Sequence, residues 1–468
     1  MLNNRRNFVF RVSIVINIAV LLYAAMHLSS NTSPGVEWVP ITSDGSERTA
    51  EFRYINREEI RNYTDTRPPE SSVRNVEEST SQKTPSTMPS TNKTASSTAS
   101  IPESDKKINS ALPEAEASNG TVLEIDDEDA LHPMTLTYLR TLLDCNDKDM
   151  LPQTVQRGDF WVLKNFVRAD HGIIQCHESI TYTTHAGFEF LDNVQPLVER
   201  WMAPVSLAIH APGADMGPTV NSIRYLRDCL GNELIKQFVT FHVFFSNKHI
   251  PSSIPNPDTI LQTPYNCTAK PPYDVNANST YMKAKSLLYP VNVARNIARE
   301  AAITHFILPS DIELYPSPNL VPRFLNMIAR NAKPLSTSTK PRVFPISIFE
   351  VGAKVQVSKM DVFHVGKRRG KFVHWEPIFI GTHQDPYYDE RLSWEGKKDK
   401  MTQGYVLCVK DYDFMILNNA FLIHKPGIKH YVKNAKRDAI AGKQSLYIKS
   451  IIMPQLKILF GTRNGCAL

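Results

Sequence analysis

The stretch that decides the fold is residues 305–316, HFILPSDIELYP, where a short apolar run leads directly into two carboxylates. An apolar run of this length that ends at a proline is typical of a strand buried in an α/β core. Ligands of open α/β sheets bind beyond the carboxyl ends of the strands. The stretch therefore predicts a ligand site that contains Asp311 and Glu313.

Asp311 and Glu313 are separated by one residue and offer hard oxygen ligands. Such ligands suit Mg²⁺ or Mn²⁺, and these ions usually complete their coordination shells with phosphate oxygens. On this interpretation the pair holds the diphosphate of a nucleotide sugar through a metal ion. The alternative is a solvated turn, because acidic residues are common at the ends of strands.

The predicted helix before this strand, residues 291–302, carries a polar stripe. Asn292, Arg295, Asn296 and Arg299 recur at i, i+3, i+4 and i+7 and therefore share one helix face. The stripe combines arginine with asparagine and has no lysine or glutamate, which suits bidentate binding of phosphate or carboxylate. We predict that Asn292, Arg295 and Asn296 bind the donor substrate; a solvated helix face is the alternative.

Two later segments place aromatic rings beside carboxylates, at residues 372–383 (FVHWEPIFIGTH) and 387–394 (YYDERLSW). A sugar pocket needs such stacking faces and hydroxyl acceptors. The predicted substrate-binding residues of these segments are Trp375, Glu390 and Arg391. A carboxylate within hydrogen-bond reach must take the proton of the attacking hydroxyl, and Asp389, then Glu376, are the candidates for this base.

A strand pair is predicted for residues 414–424, and it ends in His424. A lone histidine at a strand end is usually structural. In a chain that already carries an acidic pair, His424 is also a candidate third metal ligand. Earlier strands are predicted at residues 179–185, 205–210 and 238–245, and Thr184 and His185, at the end of the first of these, are candidates to line a uracil site.

The amino-terminal region predicts a membrane anchor. Residues 12–28 contain no charged side chain and are just long enough to cross a bilayer as a helix. Arginines precede this run and no cation cluster follows it, which places residues 1–11 in the cytoplasm. We expect an uncleaved type II anchor, with a cleaved signal peptide as the alternative. Residues 29–132, rich in Ser, Thr and Pro, resemble an O-glycosylated stem that cannot bury enough apolar surface to fold.

Charge and cysteine content narrow the class of protein. The 468 residues hold 53 Lys plus Arg against 47 Asp plus Glu, a net charge of +6, which argues against a nucleic-acid partner. All six cysteines follow the predicted anchor and none has zinc-type spacing, so disulfides are expected, with a pairing that the sequence does not give. The N-glycosylation sequons are Asn31, Asn62, Asn92, Asn119, Asn266 and Asn278, which fits a lumenal chain.

Residues 133–468 alternate short apolar strands with helical stretches, which predicts an α/β domain. Within it, several motifs resemble glycosyltransferase family 49, the family of the dystroglycan β-1,4-glucuronyltransferase and of the second catalytic domain of LARGE. The motifs are residues 289–299 (YPVNVARNIAR), Asp311-Ile312-Glu313, Trp375-Glu376-Pro377, residues 388–391 (YDER) and residues 417–425. The resemblance runs from about residue 179 to the carboxyl terminus.

The resemblance implies a single GT-A domain, a Golgi type II topology and Mn²⁺-dependent, inverting transfer of glucuronate from a UDP-sugar to a xylose-type acceptor on a glycoprotein glycan. Asp311 and Glu313 match the metal motif of the family and His424 matches its late histidine ligand, although the family's second aspartate is a glutamate here. Residues 397–399 (KKD) are a second departure, which puts acceptor choice in doubt. A xylosyl- or N-acetylglucosaminyltransferase, a non-catalytic glycan-binding descendant, and homo- or hetero-oligomers with other glycosyltransferases stay open.

Overall fold

The computed structural model describes residues 130–262, 264–349, 360–424 and 433–468. All of them lie within one compact unit, Pro113–Leu468. The predicted tail, the anchor at residues 12–28 and nearly all of the predicted stem fall outside the described residues. Within the described ranges, every helix is too short or too polar to span a bilayer.

The domain is a mixed α/β structure built on a 12-stranded sheet. In chain order the strands are β1 (Gln153–Arg157), β2 (Phe160–Val167), β3 (Ile180–Ala186), β4 (Val205–His210), β5 (Val239–Ser246), β6 (Phe306–Pro309), β7 (Leu314–Pro316), β8 (Arg342–Phe349), β9 (Val362–Gly366), β10 (Ile378–Thr382), β11 (Asp413–Leu417) and β12 (Phe421–His424). The main path runs β1-β2-β5-β4-β3-β6-β10-β8-β11-β9, and β12 pairs with β7 and β8.

Helices connect and cover these strands. They are α1 (Pro133–Leu143), α2 (Val194–Trp201), α3 (Met216–Asp228), α4 (Glu233–Phe238), α5 (Pro257–Ile260), α6 (Tyr281–Ala284), α7 (Val291–Ala301), α8 (Leu320–Arg330), α9 (Met401–Val409), α10 (Ala435–Tyr447) and α11 (Met453–Phe460), with a π-helical turn at Ile448–Ile452 between the last two. The α/β class is thus confirmed, and β3, β4, β5, β6 and α7 lie within one or two residues of their predicted bounds. Helix α2 is preceded by a 3₁₀ segment, Phe188–Asn193.

The amino-acid composition of the strands β5, β4, β3 and β6 explains why they form the centre of the sheet. They are parallel neighbours, and every residue of β3 and β4 is buried. Parallel strands covered on both faces read as continuous apolar or β-branched runs, as VSLAIH in β4 does. Leu207, Ile209 and Phe241 are wholly buried, and each contributes about 2 kcal/mol of hydrophobic free energy.

Two features of this architecture position the site. Helix α7 packs Ala294, Ile297 and Ala298 against residues of β2, β4 and β5, and its polar stripe contacts residues 385–399. Strand β12 runs antiparallel to β7, which pairs His424 with Leu314. The end of the predicted late strand pair therefore lies beside the loop that carries Asp311 and Glu313.

The six cysteines form three disulfides, as the sequence predicts. The pairs are Cys145–Cys176, Cys229–Cys267 and Cys408–Cys466. The first ties the segment after α1 to the approach to β3, and the last ties α9 to the carboxyl terminus. A disulfide that closes a loop of this size stabilises a domain by about 2–4 kcal/mol, and such bonds persist in oxidising compartments.

Candidate active site

Neighbouring strands bring His185 and Asp311 together at one edge of the sheet. β3 and β6 are parallel and in register, and the backbone N–H of Ser310 donates to the carbonyl of Thr183 at 3.0 Å. His185 Nε2 lies 3.4 Å from Asp311 Oδ1. Burial lowers the pKa of His185, so its imidazole is neutral at neutral pH. Side chains of β3 and of the loop after β6 therefore meet beyond the strand ends, where the sequence predicts a ligand site.

Asp311 is paired with two permanent cations as well. Arg295 Nη2 lies 2.9 Å from Oδ1, and Lys400 Nζ lies 3.1 Å from Oδ2. Burial alone would raise the pKa of Asp311, but the charges of Lys400 and Arg295 outweigh it and hold the pKa well below its usual range. The carboxylate stays ionised at any physiological pH, and 28% of its side chain is open to solvent.

The pKa of Glu313 is shifted in the opposite direction from that of Asp311. Burial and the negative charge of Asp311 raise its pKa, and the nearby His424 acts in the other direction. Two carboxylates that repel each other at a strand end have the donor chemistry that a divalent cation requires. Within the described residues, however, no three His, Cys, Asp or Glu side chains stand in the arrangement of a metal site. Asp311, Glu313 and His424 are residue types that bind divalent cations, and the metal stays a prediction.

The polar stripe of α7 is buried, so the alternative of a solvated helix face is wrong. The exposed fractions of Asn292, Arg295, Asn296 and Arg299 are 0%, 5%, 1% and 2%. Three of these residues donate hydrogen bonds to the backbone of residues 385–400: Asn292, Asn296 and Arg299 bond to the carbonyls of Asp385, Pro386, Tyr388, Asp389 and Asp399 at 2.8–2.9 Å. The stripe thus fixes the conformation of that segment, which we call the 385–400 segment.

Arg295 joins the stripe to the site. Its Nη1 donates to Asp399 in a short ion pair, and its Nη2 binds Asp311. The pairing anchors the end of the 385–400 segment, and from there Lys400 reaches Asp311. In the sequence, Asp399 stands out only as a departure from the family, and Lys400 is not among the predicted site residues. The one available signal was a charged cluster before the apolar helix α9, which is usual for an exposed turn.

The two candidate bases differ in their surroundings. Arg391 binds both oxygens of Asp389, with Nε at 2.8 Å from Oδ1 and Nη2 at 2.6 Å from Oδ2. Glu376 is exposed, and it makes no hydrogen bond to any other described residue. Desolvation by the surrounding atoms, followed by the charge of Asp399, raises the pKa of Glu376. An exposed carboxylate with a raised pKa accepts a proton more readily than one whose two oxygens bind an arginine, so exposure and pKa favour Glu376 over Asp389.

The remaining predicted substrate-binding residues make contacts within the protein. The ring of Trp375 packs on Phe414 at 5.3 Å between centroids. Glu390 accepts from Arg157 Nε at 2.6 Å and from Asn296 at 2.8 Å, while Arg391 pairs with Asp389. Thr184 is wholly buried, and its Oγ1 has no hydrogen-bond partner within the described part of the chain. These contacts support the 385–400 segment and the adjoining sheet, and the roles in substrate binding stay predictions.

Comparison with known proteins identifies the class. The family model described as "Glycosyl-transferase for dystroglycan" matches residues 179–360 and 352–461. β-1,4-Glucuronyltransferase 1 of Danio rerio is 25% identical over 316 residues, which cover 57% of this chain and 72% of the relative. Xylosyl- and glucuronyltransferase LARGE1 of Homo sapiens is 21% identical over 315 residues, covering 60% of this chain and 36% of the relative. The chain is therefore a glycosyltransferase.

The matched residues span more than half of the chain, which belongs to glycosyltransferase family 49. The resemblance seen in the motifs is thereby confirmed. Among solved structures, Staphylococcus aureus TarS 1-349 in complex with UDP-GlcNAc aligns over 60% of this chain and 75% of that chain, at 11% identity. The TM-score of 0.28 is too low to support a comparison of the folds.

We predict that Asp399→Asn loosens the 385–400 segment, because it leaves the buried guanidinium of Arg295 with one charged partner. Breaking a buried pair costs about 3 kcal/mol. Hydrogen exchange of the full chain should show faster exchange in peptides from residues 385–400. Asp438→Asn is the matched control, since it breaks the exposed pair with Lys397 and should leave that exchange unchanged. Equal protection in the two variants would contradict the anchoring role.

Proposed function

We propose that this chain transfers glucuronate from UDP-glucuronate to a xylose-type acceptor on a glycoprotein glycan of the O-mannosyl, matriglycan-like kind, with inversion and with Mn²⁺. The observation that carries the proposal is the meeting of Asp311, Glu313 and the His424-bearing strand at the carboxyl edge of the sheet. The family membership and the relatives named glucuronyltransferases support it. A GT-A arrangement of the domain is part of the same proposal.

The ion would be held by Asp311, Glu313 and His424. When bound, it would neutralise the charge that develops on the diphosphate as the sugar leaves. In this chain the permanent charge of Asp311 favours a cation at all physiological pH values, because the low pKa of Asp311 keeps the carboxylate ionised. Arg295 fixes the orientation of Asp311 through Oδ1 and is itself too buried to be displaced freely.

Glu376 would act as the general base. Its exposed carboxylate can accept the proton of an acceptor hydroxyl, and its raised pKa strengthens it as a base. Asp389 is the alternative base, but its two oxygens already bind Arg391. A carboxylate held in this way orients the 385–400 segment more readily than it accepts a proton.

Two alternatives differ from the proposal in testable ways. The relative LARGE1 is named for xylosyl as well as glucuronyl transfer, so a xylosyl donor is the first alternative, with N-acetylglucosamine as a further donor. A non-catalytic glycan-binding descendant is favoured by Glu313 in place of aspartate. A donor screen with the full chain separates these possibilities, because only an enzyme releases UDP in an acceptor-dependent manner.

We also propose that the chain is a single-pass type II protein of the Golgi membrane, anchored by residues 12–28, with the described domain in the lumen. Three disulfides support an oxidising compartment. The sequon residues Asn266 and Asn278 are exposed, which leaves both open to glycosylation.

In the donor screen we expect UDP-glucuronate with Mn²⁺ and a β-xyloside to give the highest rate. Asp311→Asn and His424→Ala should each lower that rate by about 100-fold or more, because each removes a metal ligand. Asp438→Asn, a change at a partly exposed position that pairs with Lys397, is the control and should keep the wild-type rate. Near wild-type rates in both ligand variants would refute the metal site, and a faster rate with UDP-xylose would move the assignment to the first alternative.

For the base, we expect Glu376→Gln to lower kcat by about 100-fold or more while donor affinity stays the same. Asp389→Asn should lower kcat less and should shift the thermal unfolding midpoint, because it breaks the pair with Arg391. Since desolvation by the surrounding atoms and the charge of Asp399 raise the pKa of Glu376, the wild-type rate should begin to fall with decreasing pH at pH values above the ordinary pKa range of glutamate. The fall in rate at acidic pH should disappear from the pH–rate profile of Glu376→Gln. If that fall persists, another group is the base.

For the topology, we expect glycans on Asn266 and Asn278 when the full chain is expressed in secretory cells. Asn266→Gln and Asn278→Gln should each remove one glycan, seen as a mobility step before peptide-N-glycosidase treatment. Asn276→Gln lies outside a sequon and serves as the control. A chain that carries no glycan at either sequon would contradict the lumenal placement.

A further inference from the structure

One charged contact at the site has no role in the proposed function. Lys400 Nζ lies 3.1 Å from Oδ2 of Asp311, the oxygen that Arg295 leaves open. Only 20% of the Lys400 side chain is exposed. A lysine is costly to bury unless it is paired, and this one is buried against the carboxylate that the proposed metal would need.

The backbone at Lys400 is held in place by contacts of the neighbouring residues. The backbone carbonyl of Asp399 accepts from Asn292 at 2.9 Å, and the Asp399 side chain is paired with Arg295. Lys400 itself is the residue before α9, so its backbone is held on both sides. The side chain remains a long flexible stem that ends in a point charge, which can move without a change in the backbone.

Lys400 and a divalent cation compete for the same oxygen of Asp311. A cation bound to Oδ2 would repel the ammonium group of Lys400, because the two positive charges would lie only a few ångströms apart. Arg295 does not compete, since it binds Oδ1 and is held by Asp399 as well. A metal at Asp311 would therefore weaken the ion pair of Lys400, and the ammonium group would gain from another anionic partner within the reach of its stem.

We propose that Lys400 is a donor-binding residue that neutralises Asp311 before the metal binds and then contacts an anionic oxygen of the nucleotide sugar. The inference rests on the proposed function and deepens it. The oxygen belongs either to the diphosphate or to the carboxylate of a uronate sugar, and both are partners that an ammonium group binds as a point charge. The exchange of partners keeps the charge of Lys400 paired in both states.

The first test uses the wild-type full chain and measures acylation of the Lys400 amine by mass spectrometry in three states. The amine should be protected without ligands, more reactive with Mn²⁺ alone, and protected again with Mn²⁺ and UDP-glucuronate. Lys398, an exposed lysine two residues away, is the internal reference and should react equally in all three states. Reactivity of Lys400 that does not change with Mn²⁺ would overturn the proposal.

The second test compares Lys400→Met and Lys400→Arg with Lys398→Met as the matched control. Without a donor, Lys400→Met should bind Mn²⁺ about tenfold more tightly, because the competing cation is gone. At saturating Mn²⁺ it should bind UDP-glucuronate about tenfold more weakly, and Lys400→Arg should recover part of this loss. A fall in thermal stability with both affinities unchanged would show a structural ion pair only and would overturn the proposal.

Binding of UDP, UDP-glucose and UDP-glucuronate identifies the oxygen that Lys400 contacts. An equal loss of affinity for all three ligands in Lys400→Met assigns the contact to the diphosphate, and a loss confined to UDP-glucuronate assigns it to the uronate carboxylate.

The failure of this inference can be distinguished from the failure of the proposed function. If the wild type binds nucleotide sugar but Lys400 does not respond, only this inference fails; if the wild type binds none, the proposed function fails and the inference falls with it.

Discussion

The candidate site depends on one buried guanidinium that is shared by two carboxylates. Arg295 is 5% exposed and pairs with Asp311 on one side and Asp399 on the other. A charge at this depth is tolerated only when it is fully paired, so the two carboxylates have little freedom to move. Because Arg295 belongs to α7, Asp311 to the loop after β6 and Asp399 to the 385–400 segment, this single group fixes three parts of the chain relative to one another.

That constraint gives neighbouring carboxylates different chemical characters. The pKa of Asp311 is held far below its usual range by Lys400 and Arg295, whereas desolvation and the charge of a nearby aspartate raise the pKa values of Glu313 and Glu376. Groups whose pKa values are driven apart in this way can take separate roles. One permanently charged carboxylate attracts a cation, and an accessible carboxylate with a raised pKa is suited to accept a proton.

The sequence predicted the parts of this arrangement that depend on local pattern. Apolar runs located β3 to β6, and the pair that follows β6 indicated Asp311 and Glu313. Helical spacing correctly placed the four stripe residues on one face. It could not show what that face contacts, because the 385–400 segment lies about ninety residues later in the chain. Lys400 was missed for the same reason, since Asp311, the partner that gives it a role, is remote from it in sequence.

The buried stripe also changes which features separate an enzyme from a glycan-binding protein of the same family. Buried Asn292, Asn296 and Arg299 hold a backbone segment, and a non-catalytic protein would need them equally to keep its fold. The same holds for Asp389, whose oxygens bind Arg391. A binding protein has no such structural need for Glu376, an exposed carboxylate with no hydrogen-bond partner among the described residues and with a raised pKa. The stripe and Asp389 therefore do not separate an enzyme from a binding protein, and the case for catalysis rests on the family, on Glu376 and on the acidic pair beside β12.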